Sequence, residues 1–87
     1  MLFVVELAFG TNPDRLALRP AHRQMLQELH KKKKVLMAGP WADDSGALLL
    51  FDAETKDHVK TLMDEDPYYK APGVTIKTIR AWTPVIR

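Results

Sequence analysis

At 87 residues, 46% of them apolar and none a cysteine, the chain is long enough for one modest core. It has no thiol for a disulfide, a nucleophile or a Cys-based metal site. A net charge of +2 excludes the strongly basic surface on which phosphate backbones are bound, so no nucleic-acid partner is expected.

The opening run Leu2-Phe3-Val4-Val5-Glu6-Leu7-Ala8-Phe9 is nearly continuously apolar and rich in strand formers, which predicts a buried strand. It is too short to span a bilayer and has no basic leader, so a cytoplasmic protein with no membrane partner is expected, folded as a single domain over residues 1–87. Gly10-Thr11-Asn12-Pro13 reads as a loop. Proline is tolerated at the first position of a helix and not in its interior, which places the start of the main helix near Pro20, after a loose turn over residues 13–18. Ala21, Met25, Leu26 and Leu29 then share an inward face, with Arg23, Gln24, Gln27 and Lys31 towards water. Lys31-Lys32-Lys33-Lys34 ends this helix, where cations favour the carbonyl end of the macrodipole. No aromatic residue interleaves the lysines to stack a base.

Val35-Leu36-Met37-Ala38 is the second predicted strand, ending at Gly39-Pro40, and Ala47-Leu48-Leu49-Leu50-Phe51 is the third. Asp43-Asp44-Ser45-Gly46 turns the chain between them. Thr55 caps a second helix over residues 56–65 with Val59, Leu62 and Met63 inward. Asp66-Pro67 stops it, because the residue before proline is pushed out of the helical region. Pro72-Gly73 is a further turn, and residues 74–82 form the last strand, with Val74, Ile76 and Ile79 supplying apolar contacts. The order βαββαβ is that of the ferredoxin-like α+β fold, a four-stranded antiparallel sheet with both helices on one face. The first and third strands are apolar on both sides, which implies burial of both sheet faces. One chain has helices for one face only. A homodimer through the uncovered face, a dimeric α/β barrel, is therefore expected, with Trp41 and Trp82 as core or interface aromatics.

Two polar side chains fall on the apolar stripes. His22 shares the face of Met25 and Leu26, in the opening turn of a helix that starts at Pro20, where the macrodipole favours the neutral ring. Asp66 shares the face of Leu62 and Met63 and falls at a helix C-terminus, where a negative charge is unfavourable. Such a pair is either catalytic, with a neutral imidazole as general base, or a hydrogen-bonded structural pair in the core. The residues alone leave both readings open. His30 and His58 read as solvent-facing. No metal is expected, since His22, His58 and Asp66 have no ligand spacing, and no cofactor, since there is no glycine-rich phosphate loop.

Arg19-Pro20-Ala21-His22, then Gly39-Pro40, then Asp64-Glu65-Asp66-Pro67-Tyr68, then Arg80-Ala81-Trp82, in this order over nearly the whole chain, resemble the YCII-related (YciI-like) family. The resemblance implies the ferredoxin-like fold, dimeric assembly and a His–Asp dyad, which falls here on His22 and Asp66. Arg19, Pro40 and Tyr68 match positions that line the same pocket. The chemistry implied is lyase-like, removal of a small group from a small cyclic or hydroxylated metabolite. His22 would take the proton, Asp66 would orient its ring and Arg19 would hold an anionic oxygen. The rival is a non-catalytic dimeric module that binds a ligand or a protein. One departure is the lysine run, which stands where the family often has a glycine before the second strand. It is expected to change the helix exit and not the pocket.

Overall fold

The structure is a computed structural model describing residues 1–87. The apolar run Leu2–Phe9 forms β1. In it Phe3, Val5 and Leu7 are buried, while Leu2, Val4, Glu6 and Ala8 on the opposite side are half-buried. Strand β3 (Gly46–Asp52) lies antiparallel beside it, setting Ala47, Leu49 and Phe51 against Leu7, Val5 and Phe3. Strands β2 (Val35–Pro40) and β4 (Val74–Trp82) complete an antiparallel sheet ordered β2-β3-β1-β4. This is the ferredoxin-like arrangement, in which β3 lies between the two strands that the first helix connects. The core joins Phe3, Val5, Leu7, Val35, Leu49 and Phe51 to Leu18, Leu26, Leu29, Val59, Leu62 and Met63 of the helices. Gly46 opens β3 where a Cβ would run into the Leu7 carbonyl oxygen, so the close approach admits only glycine.

Helix α1 runs over Arg15–Lys31, five residues earlier than the proline predicts, with Pro20 inside it. Pro20 has no N–H to donate to the Leu16 carbonyl, and this local loss is offset by tertiary contacts of the first turn. Arg15 is buried and Leu18 packs on the core. The inward stripe is accordingly Arg15, Leu18, His22, Leu26 and Leu29, with Ala21 exposed and Met25 half-buried at its edge. His22 is therefore in the second turn, outside the range of the macrodipole argument. The helix exits in a Schellman motif, with Lys33 N–H donating to the His30 carbonyl (3.0 Å) and Lys34 N–H to the Leu29 carbonyl (2.9 Å). Lys33 takes φ 62°, the left-handed conformation that suits glycine.

Helix α2 (Lys56–Asp64) begins as expected, the Thr55 hydroxyl accepting from His58 N–H at 3.1 Å. Asp66 lies beyond it and caps a 3₁₀ turn over Pro67–Lys70, which local pattern does not reveal. Its carboxylate thus faces the N–H end of a new turn rather than the carbonyl end of α2, and the expected repulsion is absent. Within one chain only the helix side of the sheet is buried. Val4 and Leu50 remain half-buried on the other side, and Met37, Leu48 and Trp82 are exposed. Neither tryptophan is in the core, since Trp41 is 41% and Trp82 48% exposed. No helix is long and apolar enough to cross a membrane.

Candidate active site

Helix α1 carries His22 to the sheet side of the molecule, and the Asp66-Pro67 stop brings the Asp66 carboxylate to meet it. His22 Nδ1 lies 2.5 Å from Asp66 Oδ2, with the two residues only 7% and 4% exposed. The other carboxylate oxygen, Oδ1, accepts from Tyr68 N–H at 3.0 Å. A carboxylate anchored in this way accepts at both oxygens, which places the imidazole proton on Nδ1 and leaves the lone pair on Nε2. No buried side-chain nitrogen or oxygen lacks a partner. Nε2 has none within the chain, so it is the nitrogen that reaches accessible space.

The ring is fixed by aromatic neighbours as well as by Asp66. Tyr68 stacks on it at 3.9 Å with a 7° interplanar angle, and Tyr69 meets it edge-on at 5.2 Å. Tyr68 is held in turn by Arg15, whose Nη1 donates to the phenol oxygen at 3.4 Å. Arg15 Nη2 donates to Asp44 Oδ2 at 3.1 Å, and its guanidinium lies 3.9 Å over the Phe9 ring. Burial acts to lower the Arg15 pKa, but the hydrogen bonds to Tyr68 and Asp44 outweigh it and hold the group above its ordinary value. Burial first, then the Asp66 charge and the proximity of Tyr68, push the Tyr69 phenol well above the ordinary tyrosine range. The site therefore holds a firmly charged guanidinium and a firmly neutral phenol.

His22 forms part of the wall of a cavity of about 450 Å³ between α1 and the β2 side of the sheet. Arg19, Pro40 and Tyr68, the three other residues singled out in the sequence, line the same cavity. Asp66 sits behind His22 and reaches the space through it. His30 is exposed, as expected. Its Nδ1 lies 2.9 Å from the Val35 carbonyl oxygen, and it lines the cavity two turns below His22. His58, expected to face solvent, is instead half-buried and lies away from the cavity, and no three His, Asp or Glu side chains converge on a common point. Sequence reasoning also missed Arg15, Asp44 and Tyr69. Arg15 was within reach, because it precedes His22 by seven residues and shares its stripe once the helix is allowed to begin before Pro20. Asp44 gives no such signal, since its place beside Arg15 is set by the fold of the β2–β3 loop.

No curated protein matches this chain. Among solved structures, it is similar to 5-chloro-2-hydroxyhydroquinone dehydrochlorinase from Burkholderia phenoliruptrix AC1100 in complex with 2,5-dihydroxybenzoquinone. The TM-score is 0.77 and the identity 26%, over 95% of this chain and 94% of that one. The sequence pattern that first suggested a family is matched independently by the model of the YCII-related domain over residues 1–83. With a match of that extent on a ferredoxin-like sheet, the chain belongs to the YCII-related family.

Proposed function

We propose that this protein is a lyase-type enzyme that removes a small group from a hydroxylated ring, with His22 as general base and Asp66 as its orienting partner. The observation that carries the reading is the His22–Asp66 contact at 2.5 Å with Nε2 free at a cavity wall. Nε2 takes a proton from the substrate. The substrate reacts as its keto tautomer, in which the carbon bearing the leaving group has taken up a proton from water and is tetrahedral. The electron pair left on the deprotonated oxygen forms a carbonyl, the ring double bonds shift, and the leaving group departs from that carbon as an anion. Asp66 keeps the Nδ1 proton in place and stabilises the imidazolium that forms. Tyr68 stacking fixes the plane of the ring, while Arg19 and Pro40 border the substrate. The dehydrochlorinase likeness favours a halide as the leaving group.

The reading includes a homodimer through the helix-free face of the sheet. Support comes from Val4, Met37, Leu48, Leu50 and Trp82, apolar residues on or beside a face that no helix of the same chain covers.

The test is chloride release from chlorinated di- and trihydroxybenzenes. Wild-type protein is expected to release chloride, and His22→Gln and Asp66→Asn to be slower by about 10²–10⁴-fold, the usual loss with a general base. Circular dichroism on both variants separates lost chemistry from lost folding. Undiminished turnover in folded His22→Gln refutes the base assignment. Ring binding by the wild type without turnover would make the domain a ligand-binding module.

A further inference from the structure

We infer that the ligand of this cavity carries a second recognition group, a carboxylate on a short arm, which Arg19 and Arg23 hold while the ring lies against His22. The inference rests on the proposal that a hydroxylated ring binds at His22, and it narrows the substrate to an acid.

Arg15, Arg19, Arg23 and Gln27 are spaced four apart on α1, and all four line the cavity. A helix has about 3.6 residues per turn, so each such step rotates the row by about 40°. The row therefore climbs out of the core: Arg15 is buried, Arg19 half-buried, Arg23 and Gln27 exposed. The inner guanidinium is already neutralised by Asp44 at 3.1 Å. The next two are not, since no carboxylate lies within 4.0 Å of Arg19 or Arg23. The acid nearest the reacting nitrogen, Asp66, is committed to His22 and to Tyr68 N–H.

Two uncompensated guanidiniums thus face a space whose opposite wall is largely apolar, built from Val35, Leu36 and Ala38. The Arg19 guanidinium, partly removed from water, is satisfied best by a planar carboxylate that accepts two parallel N–H bonds, and Arg23 stands exposed at the edge of the same cavity. The size of the cavity points the same way. A cavity of roughly 150 Å³ suffices for benzene, so about 450 Å³ leaves room for a ring and a charged arm. Both arginines lie within one helical turn of His22, which keeps the arm short.

The experiment is titration calorimetry on the full chain, without oxygen, using two probes that share a ring. One is 2,5-dihydroxyphenylacetate and the other 2,5-dihydroxytoluene, in which a methyl group replaces the carboxylate arm. The acid is expected to bind at least about tenfold more tightly at low salt, the gain typical of a charge-assisted pair. Arg19→Gln and Arg23→Gln should each remove most of that preference. Lys60→Gln, which deletes a positive charge on α2 away from this cavity, should leave it intact. Equal binding of the two probes, binding of neither, or a preference that survives both arginine variants would overturn the inference. Its failure is separable from that of the catalytic reading. A preference without turnover of any ring sinks only the chemistry, whereas halide release from neutral rings with no preference for the acid sinks only the arginine assignment.

Discussion

Tyr69 shows how one buried side chain ties stability to pH. Its ring is 7% exposed and meets His22 edge-on at 5.2 Å. Burial and the Asp66 charge raise its pKa far above the value of about 10 that an unfolded tyrosine has. The folded chain therefore keeps its proton at a pH where the unfolded chain releases it. Stability associated with this group is fully present below about pH 10 and falls as pH rises beyond it, by about 1.4 kcal/mol per pH unit for one proton. Urea unfolding between pH 9 and 11 should show this decline in the wild type and a shallower one in Tyr69→Phe, which keeps the ring and removes the titration. Parallel decline in the two proteins would mean that Tyr69 does not carry the alkaline limb. The same residue marks a limit of local reading. Tyr69 follows Tyr68 directly, and nothing in the string Pro67-Tyr68-Tyr69-Lys70 says that both rings point inward. That follows from the 3₁₀ turn capped by Asp66, and the turn is fixed by the meeting with His22, 44 residues away in the chain.

At the scale of elements, the ends of α1 show what was legible and what was not. The spacing from His22 to Leu26 and Leu29 sufficed to put the imidazole on the inward face. The start is not legible locally, because an interior proline costs about 3 kcal/mol on local grounds and the buried contacts of Arg15 that oppose this cost are long-range. At the other end the four lysines mark the exit correctly and conceal its geometry. Lys33 sits at the C′ position of the Schellman motif with φ 62°. A side chain there costs about 1–2 kcal/mol in backbone strain. Glycine would relieve that strain while losing about 0.5–1 kcal/mol to its greater freedom in the unfolded chain. Lys33→Gly is therefore expected to stabilise the fold by about 0.5–1 kcal/mol, or about 2–8 °C in Tm for a chain of this size. Differential scanning calorimetry reads this directly, with Lys32→Gly, one residue earlier at φ −84°, expected to lower Tm. A fall in Tm for Lys33→Gly would show that the lysine makes compensating interactions.

For the whole molecule, the order of elements gave away the fold, and the two-sided apolar character of β1 and β3 carried information that one chain does not use. Phe3, Val5 and Leu7 account for the helix side. Val4, Leu48 and Leu50 have no such explanation within the chain, and burying them against a second copy supplies one. Leu48 is the position at which to test the proposed dimer. It is 38% exposed in the single chain, so a charge there need not disturb the core. It also stands opposite Glu6 in the β1–β3 register, a carboxylate 3.5 Å from Lys77 that a lysine at position 48 would share in the monomer. Within a dimer interface the same lysine would be stripped of water, at a cost of several kcal/mol. Leu48→Lys should thus weaken association by at least about 100-fold while leaving the Tm of the dissociated chain close to that of the wild type at equal dilution. Sedimentation equilibrium on both proteins decides the point. A wild type that stays monomeric at micromolar concentration removes the dimer. A Leu48→Lys variant as dimeric as the wild type would move the interface elsewhere, and the apolar outer faces of β1 and β3 would then need another occupant.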